Sequence, residues 1–469
     1  MSSATPVFYR LGGWLLRAAL GFYFRRIERF HGERVPRTGP VLFTSNHPNS
    51  VTDAFIIGAS VPRKVSFVAT VQLFRFAPVR WLLTQCGVIP INRVKDDARA
   101  MRTVMDTFEA CYRVLERGEA VGIFPEGITH DDPQLKTVKT GAARMALELE
   151  HRHGGKLGLQ IVPVGLTFSA KELYRSEVLV HFGEPIRAGD FLAGYPEKKH
   201  DCIRTLTAEL ERRIAALILH LPKLERARVI EEVRRLYLDR LLVGNRVIHE
   251  PVPPKAGELL LTQAIAKAVE FTYEHHPERA ADFVRRLDQY ERGLKKLKLS
   301  DDELSLFPDP RRLVWHSISW TLLGTLLFPV AAYGWLHRLV PITIVHWAIR
   351  RFAETSVNKT HVSTTALLAG MVSFGLCYGA FIALCQAIFG WPVSLWYGLS
   401  LPLASLVAHY YVRGAHRFAA SLRSTLILMR TPVAARRLLR LRRELITEIE
   451  AARWEVPANT LVTDPKDSK

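Results

Sequence analysis

His47 and Asp53 lie within the run Asn46-His47-Pro48-Asn49-Ser50-Val51-Thr52-Asp53, and a histidine with a carboxylate in reach is a proton-moving pair. The carboxylate accepts the proton on one imidazole nitrogen, which fixes the tautomer and raises the basicity of the other. That second nitrogen can then take the proton from an attacking alcohol. A His followed closely by an Asp also arises by chance and then ordinarily ends as a surface hydrogen bond. The flanks argue for more: Val41–Ser45 reads as a buried strand ending at Asn46, followed by a Pro-Asn-Ser turn and an apolar helix. Strand ends are where α/β sheets form sites.

Three further blocks follow in order: Gly87-Val88-Ile89-Pro90-Ile91-Asn92-Arg93, Phe124-Pro125-Glu126-Gly127 and Val162-Pro163-Val164-Gly165-Leu166. Arg93 sits just past a strand-like run, where its planar guanidinium could fork onto a phosphate, or simply be solvated. Glu126 and Gly127 end another such run in a turn whose backbone can approach a ligand closely. Standing alone, that block reads as an ordinary strand-terminating turn with an exposed Glu. Lys136 and Lys139 lie at the start of a predicted helix, where N–H groups and cations suit an anion; solvated lysines are the alternative.

The elements that must position these residues alternate as an α/β layer domain requires. The strands expected are Val41–Ser45, Val65–Ala69, Val88–Ile91, Ala120–Phe124, Leu159–Thr167 and Val178–Phe182. Met101, Met105, Phe108, Cys111 and Leu115 fall on one face of a helix, and Gly141 to Glu150 also reads as helix. Pro163 cannot donate to a ladder, which predicts an edge or bulged strand there. Ahead of this domain, Leu11, Leu15, Ala18 and Phe22 repeat at helical spacing beside Arg25, Arg26 and Arg29, as in a helix lying at a membrane surface; a core-packed amphipathic helix is the alternative. Residues 201–310 read as a helical module, with Pro251, Pro253 and Pro254 marking a loop.

After Pro310 three apolar stretches follow, Val314–Leu336, Ser363–Gly390 and Trp391–Val412, each long enough to cross about 30 Å of hydrocarbon. A mean hydropathy of +0.05 alongside 23% charged residues fits that segregation of apolar and charged sequence. The basic loop with Arg350, Arg351 and Lys359 and the basic tail both favour the cytoplasmic side, as does the α/β domain. The first stretch, interrupted by Pro329, Gly334 and Pro341, is therefore expected to dip in and return, and the other two to form a hairpin. Beyond Pro432, Leu438, Leu441, Leu445 and Ile449 share one face of a basic helix suited to anionic headgroups, with a coiled-coil partner as the alternative. A net charge of +19 suits an anionic lipid surface. Nucleic acid is not expected, because no zinc-finger, RNA-binding or helix-turn-helix pattern accompanies the charge. Cys86, Cys111, Cys202, Cys377 and Cys385 show no paired spacing, so no metal site and no disulfide framework is expected.

Taken together, the four blocks resemble the phospholipid/glycerol acyltransferase family over about Gly39 to Ile186, with Phe182-Gly183-Glu184-Pro185-Ile186 fitting its usual ending. The resemblance implies an α/β fold with a mixed sheet flanked by helices. It implies that His47 and Asp53 are catalytic, that Arg93, Glu126 and Gly127 position a glycerol phosphate, and that Pro163 helps shape the site. One departure stands out: five residues separate His47 from Asp53 where the family has four, so the Pro48-Asn49-Ser50 turn must absorb one. That spacing, with Arg234-Arg235-Leu236-Tyr237 and Leu287-Asp288-Gln289-Tyr290, is similar to the glycerol-3-phosphate/dihydroxyacetone-phosphate acyltransferase branch.

The organisation expected is an N-terminal interfacial helix (1–35), an acyltransferase domain (36–200), the helical module (201–310), membrane-embedded helices (311–412) and a basic amphipathic tail (413–469). The function implied is transfer of a fatty acyl group from acyl-CoA or acyl carrier protein, as co-substrate and without a cofactor, to the sn-1 hydroxyl of glycerol 3-phosphate or of dihydroxyacetone phosphate. Acylation of 1-acylglycerol 3-phosphate is the alternative within the class, and a non-catalytic lipid-binding membrane protein the alternative outside it.

Overall fold

The computed structural model describes residues 6–75, 77–91, 100–130, 132–244, 252–305, 310–353 and 361–455. They fall into two compact units: Met1–Glu225 with Ile248–Leu259 and Ile349–Leu367, and Arg226–Val247 with Leu260–Ala348 and Leu368–Lys469.

The first unit runs α1 (Pro6–Tyr23), β1 (Arg26–Phe30), β2 (Val41–Ser45), α2 (Val51–Ser60), β3 (Val65–Thr70), α3 (Ala77–Gln85), β4 (Ile89–Ile91) and α4 (Ala100–Glu116). It continues with β5 (Ala120–Ile123), α5 (Gly141–Arg152), β6 (Gln160–Phe168), β7 (Glu177–Phe182), β8 (Ile186–Arg187) and α6 (Lys199–Ala216). The strands form one mixed sheet in the order β1-β7-β6-β2-β5-β3-β4, with β8 also on β6. β7 and β8 run antiparallel to β6, and the other neighbours are parallel.

All five residues of β2 are buried, as a strand covered on both faces requires. Alternation sorts them: Leu42 joins the core under α4, α5 and α6, while Val41 and Phe43 join the core beneath α1 and α2. Because β2 pairs in parallel with β5 and β6, the carboxyl ends of these three strands lie side by side. This register brings Asn46 and His47 beside Phe124 to Gly127, although 79 positions separate His47 from Glu126 in sequence.

Two expectations about this unit are corrected. The N-terminal helix ends at Tyr23 and the chain becomes strand β1, so residues 1–35 are not one interfacial helix. Its packed face carries Leu16, Ala19, Leu20 and Tyr23, whereas Leu15, Ala18 and Phe22 are exposed. Pro163 also lies on a central strand and not at an edge, although the expected bulge is there: Val164 pairs with Phe182 but Ile161 with Ile186, one residue more on the partner side. In an extended strand a residue's N–H and C=O point to the same side. The carbonyl of Pro163 accepts Gly183 N–H (2.9 Å), so its missing donor falls in the gap between β7 and β8 and costs the β2 ladder nothing.

The second unit contains α7 (Ala227–Gly244), most of α8 (Pro254–His275), α9 (Pro277–Leu297), α10 (Asp301–Ser305), most of α11 (Pro310–Phe352), most of α12 (Val362–Phe389), α13 (Trp391–Arg430) and α14 (Pro432–Glu455). Ile318–Phe352, Val362–Phe389 and Trp391–Arg430 are each long and apolar enough to cross a membrane. Leu322, Leu326, Leu376 and Trp396 are each more than two-thirds exposed there, as lipid-facing side chains would be.

The first apolar stretch does not turn back. α11 runs through Pro329 and Pro341 as one helix, since a proline in an apolar helix is tolerated where neighbouring groups satisfy the freed carbonyl. The tail is corrected as well: α13 extends to Arg430, and the Leu438, Leu441, Leu445 and Ile449 stripe of α14 packs on Leu287, Tyr290 and Leu294 of α9 instead of facing outward. Arg442 seals the contact with two bonds to buried Asp301 (2.8 and 2.9 Å), which also accepts the Tyr290 hydroxyl. Leu287 and Tyr290, two of the residues behind the finer family likeness, are therefore core residues of this helical bundle.

Candidate active site

The turn from β2 into α2 holds His47 and Asp53 together. Ser50 takes a positive φ of 53° with ψ −138°, and at this residue the chain turns so that Asp53, in the first turn of α2, faces back to His47. Nδ1 of His47 lies 2.9 Å from Oδ2 of Asp53. The same carboxylate oxygen accepts the Asn49 N–H at 2.7 Å, so the turn and the imidazole share one anchor. The five-residue spacing is thus accommodated with the pair closed.

Asp53 is fully buried, and burial pushes its carboxyl above the ordinary carboxylate range, against the opposing pull of His47, the Asn49 N–H and Lys171. Lys171 is pushed below the usual lysine value by its own burial, opposed by Asp53 and Glu172. The His47 ring stacks on Phe124, with centroids 4.0 Å apart and planes 14° apart. Phe67 lies behind Phe124 in a parallel stack at 6.0 Å, in the space left by Gly122, where a Cβ would strike the Phe67 ring. The ring is fixed by its neighbours while about a sixth of the side chain stays accessible. Among the described residues no protein group hydrogen-bonds Nε2.

Glu126 is buried to 2% exposure and its two oxygens are engaged by the protein. Oε1 accepts the backbone N–H of His47 (2.9 Å), and Oε2 takes the Lys136 N–H (3.1 Å) and Nε2 of His130. Gly127 has a φ of 66° and Lys139 lies directly over it, so a Cβ there would run into the lysine side chain. Asn46 ties the end of β2 to β6, its Oδ1 accepting the Leu166 N–H (2.8 Å) and its Nδ2 donating to the Leu166 carbonyl (3.0 Å).

The structure therefore brings His47, Asp53, Glu126, Gly127 and Lys139 to the carboxyl ends of β2 and β5. Pro163 is buried in the sheet opposite Thr44, and Arg93 lies outside the described residues. Lys136 and Lys139 precede helix α5, which begins at Gly141, so they sit in a loop and not at its start. Sequence reading missed His130, Lys171 and the bidentate role of Asn46. His130 stands four residues after Glu126 and was findable by proximity; Lys171, whose Nζ donates to the Pro48 carbonyl (3.0 Å), carries no local signal. A later stretch, residues 361–367, also belongs to this unit.

Residues 26–167 match the family model described as Acyltransferase. Glycerol-3-phosphate O-acyltransferase 1 of Saccharomyces cerevisiae is 22% identical over 387 residues, covering 64% of this chain and 50% of that protein. The chloroplastic 1-acyl-sn-glycerol-3-phosphate acyltransferase LPAT1 of Arabidopsis thaliana is 27% identical over 159 residues, covering 34% of this chain and 40% of that protein. The crystal structure of the 1-acyl-sn-glycerophosphate acyltransferase PlsC from Thermotoga maritima is similar at a TM-score of 0.31 and 17% identity, over 44% of this chain and 86% of that one. The chain spans about half the length of the first curated relatives it matches.

Proposed function

From the premise that residues 26–167 form an acyltransferase-family domain, we propose that this protein is a membrane-bound O-acyltransferase of glycerophospholipid synthesis with His47 as its general base. The observation that carries the reading is the imidazole whose Nδ1 meets buried Asp53 at 2.9 Å while Nε2 has no protein partner among the described residues. The acceptor hydroxyl gives its proton to Nε2 as its oxygen attacks the thioester carbonyl carbon. The C–O bond forms, the C–S bond breaks, and the departing thiolate recovers the proton from the imidazolium. An acyl thioester is already activated, so no covalent enzyme intermediate is required. Asp53 stabilises the imidazolium, and Glu126 holds the His47 main chain.

The acceptor in this reading is glycerol 3-phosphate, acylated at sn-1, as the name of the yeast relative suggests for that protein. Acylation of 1-acylglycerol 3-phosphate is the second reading, favoured by the names of the plant and human relatives. Lys139 and Arg93 are the cations proposed for the phosphate, acyl-CoA or acyl carrier protein is the donor, and the site faces the cytoplasm.

Product analysis with detergent-solubilised protein, labelled acyl donor and the two acceptors in parallel tests this, with His47→Ala as control. Lysophosphatidate from glycerol 3-phosphate, lost in the variant, is the expected result. Phosphatidate from the lyso-acceptor alone would move the enzyme one step along. No transfer to either acceptor from acyl-CoA or acyl carrier protein would favour a lipid-binding protein.

A further inference from the structure

Residues 361–367, at the start of α12, group with the α/β unit although the rest of this apolar helix belongs to the other. The first turn of α12 sits against the turn that carries the proton-moving pair. Oγ1 of Thr364 lies 2.9 Å from Oγ1 of Thr52, the residue preceding Asp53, and both side chains are buried. Thr364 Oγ1 is also 3.5 Å from the Asn49 carbonyl, within the same turn. Ser363 Oγ donates to the carbonyl of Lys171, whose ammonium holds the Pro48 carbonyl from the other side. Leu367, one turn further along, is buried in the core that holds Ile56 and Ile57 of α2. His361, just before the helix, is held below the usual histidine value by burial and, less, by His47.

Three polar groups of the His47–Asp53 turn, the carbonyls of Pro48 and Asn49 and the Thr52 hydroxyl, are thus tied to one helical turn, Asn49 and Thr52 directly across more than 300 positions and Pro48 through Lys171. Buried hydroxyl pairs rarely occur without partners, because an unmade bond carries a desolvation cost. Here that pairing spans the turn in which Ser50 is held at a positive φ.

We propose that Thr364 is a positioning residue for the His47–Asp53 pair, so that the start of an apolar helix completes the geometry of the catalytic turn. Thr364 touches no reacting atom; it acts through Thr52 and the Asn49 carbonyl. The kinetic part of the test rests on the acyl-transfer reading above, and the chemical-labelling part does not.

Thr364→Val keeps the shape and removes the hydroxyl, and Thr364→Ser keeps the hydroxyl. The valine variant should lower kcat about five- to tenfold, the rate equivalent of one lost hydrogen bond, with KM for donor and acceptor within about twofold of wild type. The serine variant should recover most of the loss. Thr52→Val should cost a similar factor, and the double variant little more than either alone, because one contact is removed in both. In parallel, the rate of diethyl pyrocarbonate modification at His47, read by peptide mass spectrometry, should change in Thr364→Val and revert in Thr364→Ser. Wild-type kcat and wild-type His47 labelling in the valine variant would overturn the proposal, as would multiplicative effects in the double variant. If wild type shows no acyl transfer but His47 labelling still responds to Thr364, the acyl-transfer reading fails and the positioning role stands.

Discussion

At the scale of single residues, the site is organised by carboxylates that hold and do not bind. The family likeness implies that Glu126 positions the acceptor, yet its oxygens are occupied by the His47 main chain, His130 and the Lys136 N–H. Replacing it with Gln leaves one good acceptor where the turn needs several. Glu126→Gln should therefore lower kcat about ten- to a hundredfold with KM for the phosphate acceptor near wild type. A raised KM with kcat preserved would return Glu126 to substrate binding. Steady-state kinetics against acceptor concentration separates the two.

At the scale of elements, parallel pairing of β2 with β5 and β6 assembles the site, and antiparallel β7 closes the sheet beyond β6. His181 on β7 is 6% exposed, lies against Phe30 at 4.7 Å between ring centroids, and is held down to about 3 by burial and by the nearby His31 and Arg34 charges. It stays neutral in the folded state and protonates below about 6.5 once unfolded. Between those values the unfolded state binds more protons, so stability falls as pH falls. Wild type should lose about 2–3 kcal/mol more than His181→Gln between pH 6.5 and 4.5, the rate of loss for one such group being about 1.4 kcal/mol per pH unit. Thermal unfolding in detergent at several pH values measures it, and parallel pH profiles for the two proteins would contradict the assignment.

At the scale of the whole molecule, the shared core of α9 and α14 constrains how the chain meets a membrane. Lys295 on α9 and Arg437 on α14 are exposed, and both should lie on one side. Single cysteines at these two positions, in a background lacking the native five, should react with an impermeant maleimide from the same face of sealed vesicles. Labelling from opposite faces would mean that all three apolar helices cross fully and that the α9–α14 core does not form in the membrane.

Local pattern alone determined much of this protein: the six strands expected from apolar runs are all present within a residue or so at their ends, three apolar helices lie where composition changes, and His47 and Asp53 are joined, although α6, expected in the helical module, groups with the α/β unit. These features depend on side-chain period and turn chemistry, which neighbouring residues express. What tertiary structure decided depends on distant partners. The short strands Arg26–Phe30 and Ile186–Arg187 form because β7 and β6 offer them an edge. Pro163 is tolerated in mid-sheet because β7 and β8 leave a gap opposite it, and the apolar stripe of α14 is claimed by α9 before any headgroup can compete. Glu126 became a brace and Thr364 reached the His47–Asp53 turn for the same reason: contacts across 79 and more than 300 positions follow from strand order and helix docking, to which no window of neighbouring residues has access.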